Sequence, residues 1–465
     1  MSAVTDRIYE AAPPALKRVL MDVYAAYLHY VREGAPMDAA IDDLERIDRQ
    51  DRREVESLQL ERLNELLAWS DARVPYYRGR LLVGSGPQGR LASLAELDRL
   101  PILTKHDVRA NAHAMTAPGV KKHYGHTSGT TGTPVQLWYD RGQRIWNRAA
   151  EKVVRRRAGI APDERVAMIW GRAIVPRTAK RPPFWMINDT DREIWLSAFH
   201  VGRGTARLYF DAIRAYKAVA LETYPSLAYI LARLALDSGE RLRLKRVLTS
   251  SETLYPFQRE TIQEAFGAEV FDFYGAAERV TFGIECRRHE GLHLLEAFGV
   301  VEPSTGGPND GFLATGLTNR SMPLIRYHVT DVTQVIDTPC GCGLTSRRLA
   351  PIATKREDLV VTPDGRFVSP SVLTHPFKPL KGLVRSQIVQ ERIDALTVKL
   401  ETGPGWIPEQ LVDLRRALED RMGAGVTIDI VEAPVQSERS GKFRWVISHV
   451  KGEHQVTERS EQRAR

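Results

Sequence analysis

Nine consecutive residues, His126-Thr-Ser-Gly-Thr-Thr-Gly-Thr-Pro134, bring together two glycines and five hydroxyl side chains and close on a proline. Such a segment packs poorly as helix or strand. Glycine lets the backbone take positive φ and approach a ligand closely. Successive main-chain N–H groups and hydroxyls then form a polar nest for phosphate oxygens. The Gly-Lys-Ser/Thr ending of a Walker loop is missing, and on spacing alone a plain Ser/Thr/Gly-rich turn is an equal reading. A second constellation uses all three cysteines of the chain, in Cys286-Arg-Arg-His289-Glu-Gly-Leu-His293 and Pro339-Cys340-Gly-Cys342-Gly. Two thiols one residue apart in a glycine-flanked turn suit zinc, and Cys286 with either His289 or His293 would complete a Cys₃His set. His289 has the shorter chelate spacing. Isolated buried thiols are the alternative.

These residues need elements to hold them. Val247-Leu248-Thr249 predicts a buried strand, Phe257 to Phe266 a helix closed by Gly267, and Val270 to Phe273 a second strand. Strand, helix and strand at that spacing make a βαβ unit with parallel strands and a right-handed crossover. Ser250-Ser251-Glu252 and Tyr274-Gly275-Ala-Ala-Glu278 then leave the sheet at one carboxyl edge, where open α/β sheets bind ligands. Residues 1–80 read as helical, with Leu58, Leu60, Leu63, Leu66 and Leu67 at helical spacing and Val74-Pro75 closing the run. Thr104 is the expected N-cap of a helix. Val166 to Trp170 predicts a strand and Leu227 to Leu236 a helix. Beyond Arg356 the pattern changes. A hairpin turns at Asp364-Gly365, followed by strands at 395–400, 426–431 and 443–448 around a helix at 409–422, a compact α+β module.

Composition narrows the class. The chain has 465 residues, 43% apolar and 27% charged, with 66 Lys+Arg against 58 Asp+Glu, a net +8. That is ordinary globular composition with room for more than one domain. No apolar run approaches the length of a membrane span, and the N-terminus lacks the apolar region of a secretory signal. Three cysteines cannot make a disulfide framework, so a cytoplasmic setting is expected. The basic runs Arg155-Arg156-Arg157 and Arg241 to Arg246 come without any nucleic-acid-binding module and read as solvated faces, not as a nucleic-acid site. A modest positive potential also suits a polyanion such as ATP or coenzyme A.

At this point the sequence resembles a known family. Thr127 to Pro134 matches throughout the TSGTTGxP phosphate loop of the adenylate-forming enzymes, and the form without a lysine after the proline (Val135 here) resembles the phenylacetate–coenzyme A ligase branch. Phe271 to Glu278 resembles the family's Tyr-Gly-x-x-Glu segment. Asn319 to Asp331 resembles its ribose-binding strand and loop, and Ser440-Gly-Lys-Phe-Arg444 its terminal lysine motif. Pro182-Pro-Phe-Trp185 and Ser197-Ala-Phe-His200 resemble a capsule-biosynthesis subgroup of that branch. The likeness runs from about Leu100 to Ile447.

The resemblance implies an α/β fold: a large N-terminal adenylation domain over 1–355, with mixed sheets flanked by helices, and a small mobile α+β domain over 356–465. It implies that ATP and a carboxylic acid give an acyl-adenylate and pyrophosphate, after which coenzyme A takes the acyl group. Transfer to a carrier-protein thiol or an amine, and a non-catalytic nucleotide-binding member of the fold, are the alternatives. Thr127, Ser128, Gly129, Thr130, Thr131 and Gly132 would wrap the β- and γ-phosphates. Glu278 would help hold Mg²⁺, Tyr274 and Gly275 would face the adenine, Asp272 would accept its exocyclic amine, and Ser250, Ser251 and Glu252 would line its other side. Asp331 would accept the ribose hydroxyls, and Lys442 would approach the carboxylate and α-phosphate. Asp358 aligns with the hinge, which puts Lys355 where an arginine usually stands, without that residue's bidentate fork. His200 and Tyr224 are candidates for the acyl pocket, in a stretch whose aromatics would suit an aromatic acid or form core. The branch carries a similar cysteine arrangement, in which His293 is the fitting histidine. Bland readings stay open: Asp272 as an outward strand position, Glu278 as a helix-start acid, Lys442 as a surface lysine and His200 as structural. A homodimer is also left open.

Overall fold

The structure is a computed structural model, described at residues 23, 27, 34–126, 135–171, 174–176, 179–304, 311–352, 360–368, 370–377, 379–403, 405–433, 435 and 445–450. Helix α1 (Ala35–Ile47) and helix α2 (Arg52–Arg73) lead in. Asp51 caps α2 through a reciprocal box with Glu54, Leu63, Leu66 and Leu67 are buried, and the helix stops at extended Val74 before Pro75, as the residue before proline favours. Helix α3 (Lys105–Asn111) starts at Thr104, whose hydroxyl accepts the Asp107 N–H at 3.2 Å while Asp107 accepts the Thr104 N–H at 2.8 Å.

A hairpin of β1 (His123–His126) and β2 (Gln136–Tyr139) flanks the Thr127–Pro134 segment, which lies outside the described residues. Helix α4 (Arg141–Arg157) follows, then β3 (Val166–Trp170), β4 (Trp185–Asn188), β5 (Glu193–Ser197), α5 (Ala206–Tyr216), β6 (Ala220–Thr223), α6 (Pro225–Ser238), β7 (Arg246–Thr249), α7 (Pro256–Phe266) and β8 (Glu269–Gly275). Gly267 ends α7 in the left-handed conformation at φ 59°, a geometry that suits glycine. Strands β5, β3, β6, β7 and β8 lie side by side and parallel, with β4 antiparallel at one edge. Strand β8 is the switch. Its first half, Glu269 to Asp272, pairs parallel with β7, and Phe273 to Gly275 pairs antiparallel with β9 (Phe282–Glu285). Beyond β9 the sheet continues through β10 (Leu292–Leu294), with β11 (Gly299–Pro303), β12 (Phe312–Gly316) and β13 (Tyr327–Val329) forming a separate three-stranded sheet. Strands β14 (Val335–Ile336) and β15 (Arg348–Leu349) complete the edge of the ten-stranded one.

One expectation is corrected. The run Arg155-Arg156-Arg157 at the end of α4 is not a solvated face. Arg155 donates to Glu222 at 2.5 Å and to Glu193 at 2.7 Å, both buried acids, and Arg157 pairs with buried Asp48. Helix α4 packs between the sheet and α1, so two of the three arginines meet acids from covered flanks, and only Arg156 reaches the surface, beside Glu45. Charge runs read from sequence say nothing of what lies opposite them.

The C-terminal residues form a hairpin of β16 (Val360–Val361) and β17 (Phe367–Val368), helix α8 (Pro370–Thr374), and a sheet of β18 (Leu383–Arg392), β19 (Ala395–Thr402), β20 (Thr427–Glu432) and β21 (Val446–Ser448) under helix α9 (Gln410–Met422). The last strand is seen from 446, because residues 443 and 444 lie outside the described residues. The hairpin turns at Asp364-Gly365 with Gly365 at φ 76°. Arg366 on that hairpin joins three elements. Its guanidinium donates to the last carbonyls of α9, Arg421 O at 3.1 Å and Met422 O at 2.7 Å, and to Phe199 O after β5 at 2.6 Å. A cation suits a helix C-terminus. Gly202 lies so close that a Cβ there would come within 2.9 Å of the Arg366 side chain.

Candidate active site

Every parallel strand delivers its candidates to one edge. The register aligns Ile169, Thr223, Thr249 and Asp272 across β3, β6, β7 and β8, so Tyr224, Ser250 and Tyr274 all follow at the carboxyl ends. Trp170 pairs with Ser197 across β3 and β5, which brings His200 to the same edge. The edge meets the switch in strand direction at β8, the crevice where open α/β sheets hold ligands.

Two tyrosine–carboxylate bonds clasp that crevice. The Tyr274 hydroxyl donates to Asp331 Oδ2 at 2.6 Å, and the Tyr327 hydroxyl donates to Glu278 Oε1 at 2.9 Å. Each segment, 274–278 and 327–331, thus supplies one tyrosine and one carboxylate to the other. Glu278 sits in a turn after β8 and starts no helix. Tyr274 is buried, its ring edge-on to Phe312. Burial, with the Asp331 charge next, pushes its hydroxyl well above the ordinary range, so it stays a donor. Strand β2 is tied to the same turn, since the Tyr139 hydroxyl donates to Ala277 O at 2.5 Å. The next residue, Asp140, caps α4 through Gln143 and accepts the N–H groups of Arg320 and Ser321 at 2.7 and 3.0 Å. Sequence reading singled out neither Tyr327 nor Tyr139 nor Asp140. Tyr327 lies inside the quoted Asn319–Asp331 motif, and its place four residues before Asp331 was the available signal.

Asp272 accepts the Thr249 hydroxyl at 2.7 Å, and its own N–H goes to Glu285 at 2.9 Å. Burial, and then the Glu285 charge, push its carboxyl well above the usual range, so a donor placed against it would favour ionisation. Ser250 is buried, Ser251 is exposed at φ 72°, and Glu252 accepts the Ser226 N–H at 3.2 Å. His200 is buried, stacked on Phe184 at 4.5 Å, with Nδ1 2.8 Å from the Ser197 hydroxyl. The Tyr224 hydroxyl accepts the Gly171 N–H at 3.1 Å, and its ring meets Trp170 edge-on at 5.0 Å. Phe199, Tyr209 and Phe210 are core residues. Thr127 to Gly132, Lys355, Asp358 and Lys442 lie outside the described residues.

The cysteines converge with one histidine. Ligand atoms of Cys286, His293, Cys340 and Cys342 all lie within 4.8 Å of one another. Cys286 and Cys340 sulfurs are 3.7 Å apart, and Cys342 Sγ is 3.4 Å from His293 Nε2. Zn–S of about 2.3 Å and Zn–N of about 2.0–2.1 Å give tetrahedral edges of about 3.5–3.8 Å, which the Cys286–Cys340 and Cys342–His293 separations approach. His293 Nδ1 is 3.0 Å from the Ser346 hydroxyl, the kind of partner that fixes a ligand's tautomer. Burial pushes His293 down to about 4 and the Cys286 thiol up to about 12. His289 is turned away, with Nδ1 3.0 Å from Glu285.

Comparison with known proteins agrees with this architecture. Residues 360–449 match the family model of the CapK C-terminal domain. The chain is 23% identical to Protein CapK of Staphylococcus aureus over 85% of this chain and 89% of that one. It is 27% identical to a phenylacetate-coenzyme A ligase of Thermus thermophilus, over 85% of this chain and 97% of the relative. Among solved structures, 2-hydroxyisobutyryl-CoA ligase superposes with a TM-score of 0.56 at 21% identity, covering 90% of this chain and 94% of that one.

Proposed function

We propose that the chain is a member of the adenylate-forming enzymes, in the phenylacetate–coenzyme A ligase-like branch that its relatives and its C-terminal match support, and that it is an AMP-forming acid–coenzyme A ligase. The supporting observation is the double clasp Tyr274–Asp331 and Tyr327–Glu278 at the carboxyl edge, which brings the base-facing and ribose-facing segments together beside β2. A carboxylate is a poor electrophile. Its oxygen attacks the α-phosphorus of ATP, the bond to the β-phosphate oxygen breaks, and pyrophosphate leaves with the electron pair. The acyl-adenylate then gives its acyl group to the coenzyme A thiol, releasing AMP. The enzyme's contribution is to place two anions together and offset the charge that develops.

In this reading Thr127 to Gly132 cradle the outer phosphates, and Glu278 holds Mg²⁺ with phosphate oxygens. Tyr274 and Gly275 face the adenine, with Ser250, Ser251 and Glu252 on its other side. Asp272 takes the exocyclic amine and Asp331 the ribose. Residues 1–355 form the adenylation domain. Residues 356–465 reorient about Asp358 with Lys355 beside it, bringing Lys442 to the reacting groups for the first half-reaction. The Cys286, His293, Cys340 and Cys342 set holds zinc as a brace. The acid is aromatic or arylacetic, received near His200 and the Trp170–Tyr224 pair. The named Thermus thermophilus relative supports that class. The test is acid-dependent exchange of labelled pyrophosphate into ATP across aryl, fatty and amino acids. Lys442→Ala should slow exchange by about 100-fold or more while sparing thioester formation from supplied acyl-adenylate. Absence of exchange with every acid, and of ATP or AMP binding by calorimetry, contradicts the reading.

A further inference from the structure

Arg109 is a half-buried cation without a matching anion among the described residues. Among the described residues its Nε and Nη2 are shielded from solvent with no hydrogen-bond partner, and no carboxylate pairs with it. Burial lowers its basicity, opposed only by Tyr327. Shielded donors in folded proteins are otherwise hydrogen-bonded, so these two nitrogens of a guanidinium mark a place for an anion from outside the chain.

Its position says which anion. The segment leading into α3 is laid along β13: Leu103 bridges Tyr327, its N–H donates to Arg326 O at 3.0 Å, and it accepts the His328 N–H at 2.9 Å. This sets Arg109 beside Tyr327, the residue that holds Glu278. A cavity of about 590 Å³ is lined by Arg109, Asn111, His113 and Gln136, and Gln136 stands two residues past Pro134, the end of the glycine- and hydroxyl-rich segment. The position after Pro134 is Val135, fully buried, so no lysine charge is offered there. The segment leading to Arg109 is joined to β13 through Leu103, whereas β3, β5 and β6 carry the His200 and Tyr224 end of the crevice.

We propose that Arg109 is a phosphate-binding residue that takes the β- and γ-phosphates of ATP, and then the departing pyrophosphate, supplying the positive charge that the Val135 position does not. The inference rests on the adenylation reading above and adds a residue to it. A guanidinium fork matches phosphate oxygens bidentately, and a cation there stabilises the leaving group as the Pα–O bond breaks.

The test uses the full chain with three probes: magnesium pyrophosphate, AMP and coenzyme A, each titrated by calorimetry. Arg109→Gln should weaken pyrophosphate about 10- to 100-fold, the worth of a hydrogen bond to a charged group, and leave AMP and coenzyme A within about twofold. Arg109→Lys, which keeps the charge without the fork, should fall between. With no ligand present, Arg109→Gln should melt at or above the wild-type temperature, because it removes a half-buried charge whose shielded Nε and Nη2 have no partner among the described residues. Unchanged pyrophosphate affinity in Arg109→Gln, a loss confined to coenzyme A, equal losses for AMP and pyrophosphate, or a lowered melting temperature without ligand each overturns the proposal. Wild-type protein that binds AMP but not pyrophosphate also overturns it and leaves the adenylation reading standing, whereas failure to bind either AMP or pyrophosphate removes both.

Discussion

Arg155 shows how a single side chain can organise this fold from beneath the site. It lies between Glu193 on β5 and Glu222 on β6, with 14% of its side chain exposed and the two acids at 2% and 8%. Truncating it strands buried Glu222 and leaves Glu193 to Trp195 Nε1 and Arg148, and breaking a buried pair from one side costs about 3–5 kcal/mol. Arg155→Ala should therefore lose about that much stability in urea denaturation. The fully exposed Arg392–Asp394 pair should be nearly silent when Arg392 is truncated, since solvent screens such pairs. The contrast could not be read from the chain, where both are arginines among charges. The site residues were legible for a different reason. Tyr274, Glu278 and Asp331 lie in motifs whose residue types carry a chemistry, but their pairing joins positions 57 and 49 residues apart. Spacing does not encode which tyrosine meets which acid.

Among elements, the paired turns at 286–293 and 340–342 carry the next expectation. Cys286 follows β9, His293 is on β10, and both strands continue the sheet from β8. Glu285, next to Cys286, accepts the Asp272 N–H, so an ion gripping these turns braces the strand that bears the base-facing residues. Protein purified without added metal should contain about one zinc per chain. Cys340→Ser or Cys342→Ser should lower the melting temperature more than serine at an isolated buried thiol, because metal binding to the folded state is itself stabilising. Freely titrating thiols and no zinc by elemental analysis would remove the brace. The βαβ unit, the α2 stop at Val74-Pro75 and the Asp364-Gly365 hairpin were all legible, because periodicity, proline and turn chemistry act locally. The reversal of pairing direction within β8 was not, since it depends on which strands arrive on either side. Spacing alone did not separate His289 from His293; the likeness to the branch favoured His293, which meets the three cysteines while Glu285 holds His289.

On the scale of the molecule, the C-terminal unit shares a core with the central strands and helices. Val360, Val372, Phe377 and Trp445 belong to the same buried cluster as Phe199, Tyr209 and Phe210. Arg366 ties α9 to the loop bearing His200. The C-terminal unit is therefore in contact with the segment proposed to receive the acid, and its orientation bears on that segment's shape. The proposed reaction makes a demand that ADP-forming ligations do not: ATP must be split between its α- and β-phosphates. The most direct measurement incubates the purified protein with Mg²⁺, ATP, coenzyme A and each acid of an aryl, arylacetic and aliphatic panel, and identifies the nucleotide and acyl products by mass spectrometry. The account predicts AMP and pyrophosphate formed in equal amounts with an acyl-coenzyme A for at least one acid, and acyl-adenylate when coenzyme A is left out. ADP with phosphate in their place, or ATP left intact with every acid, would contradict it.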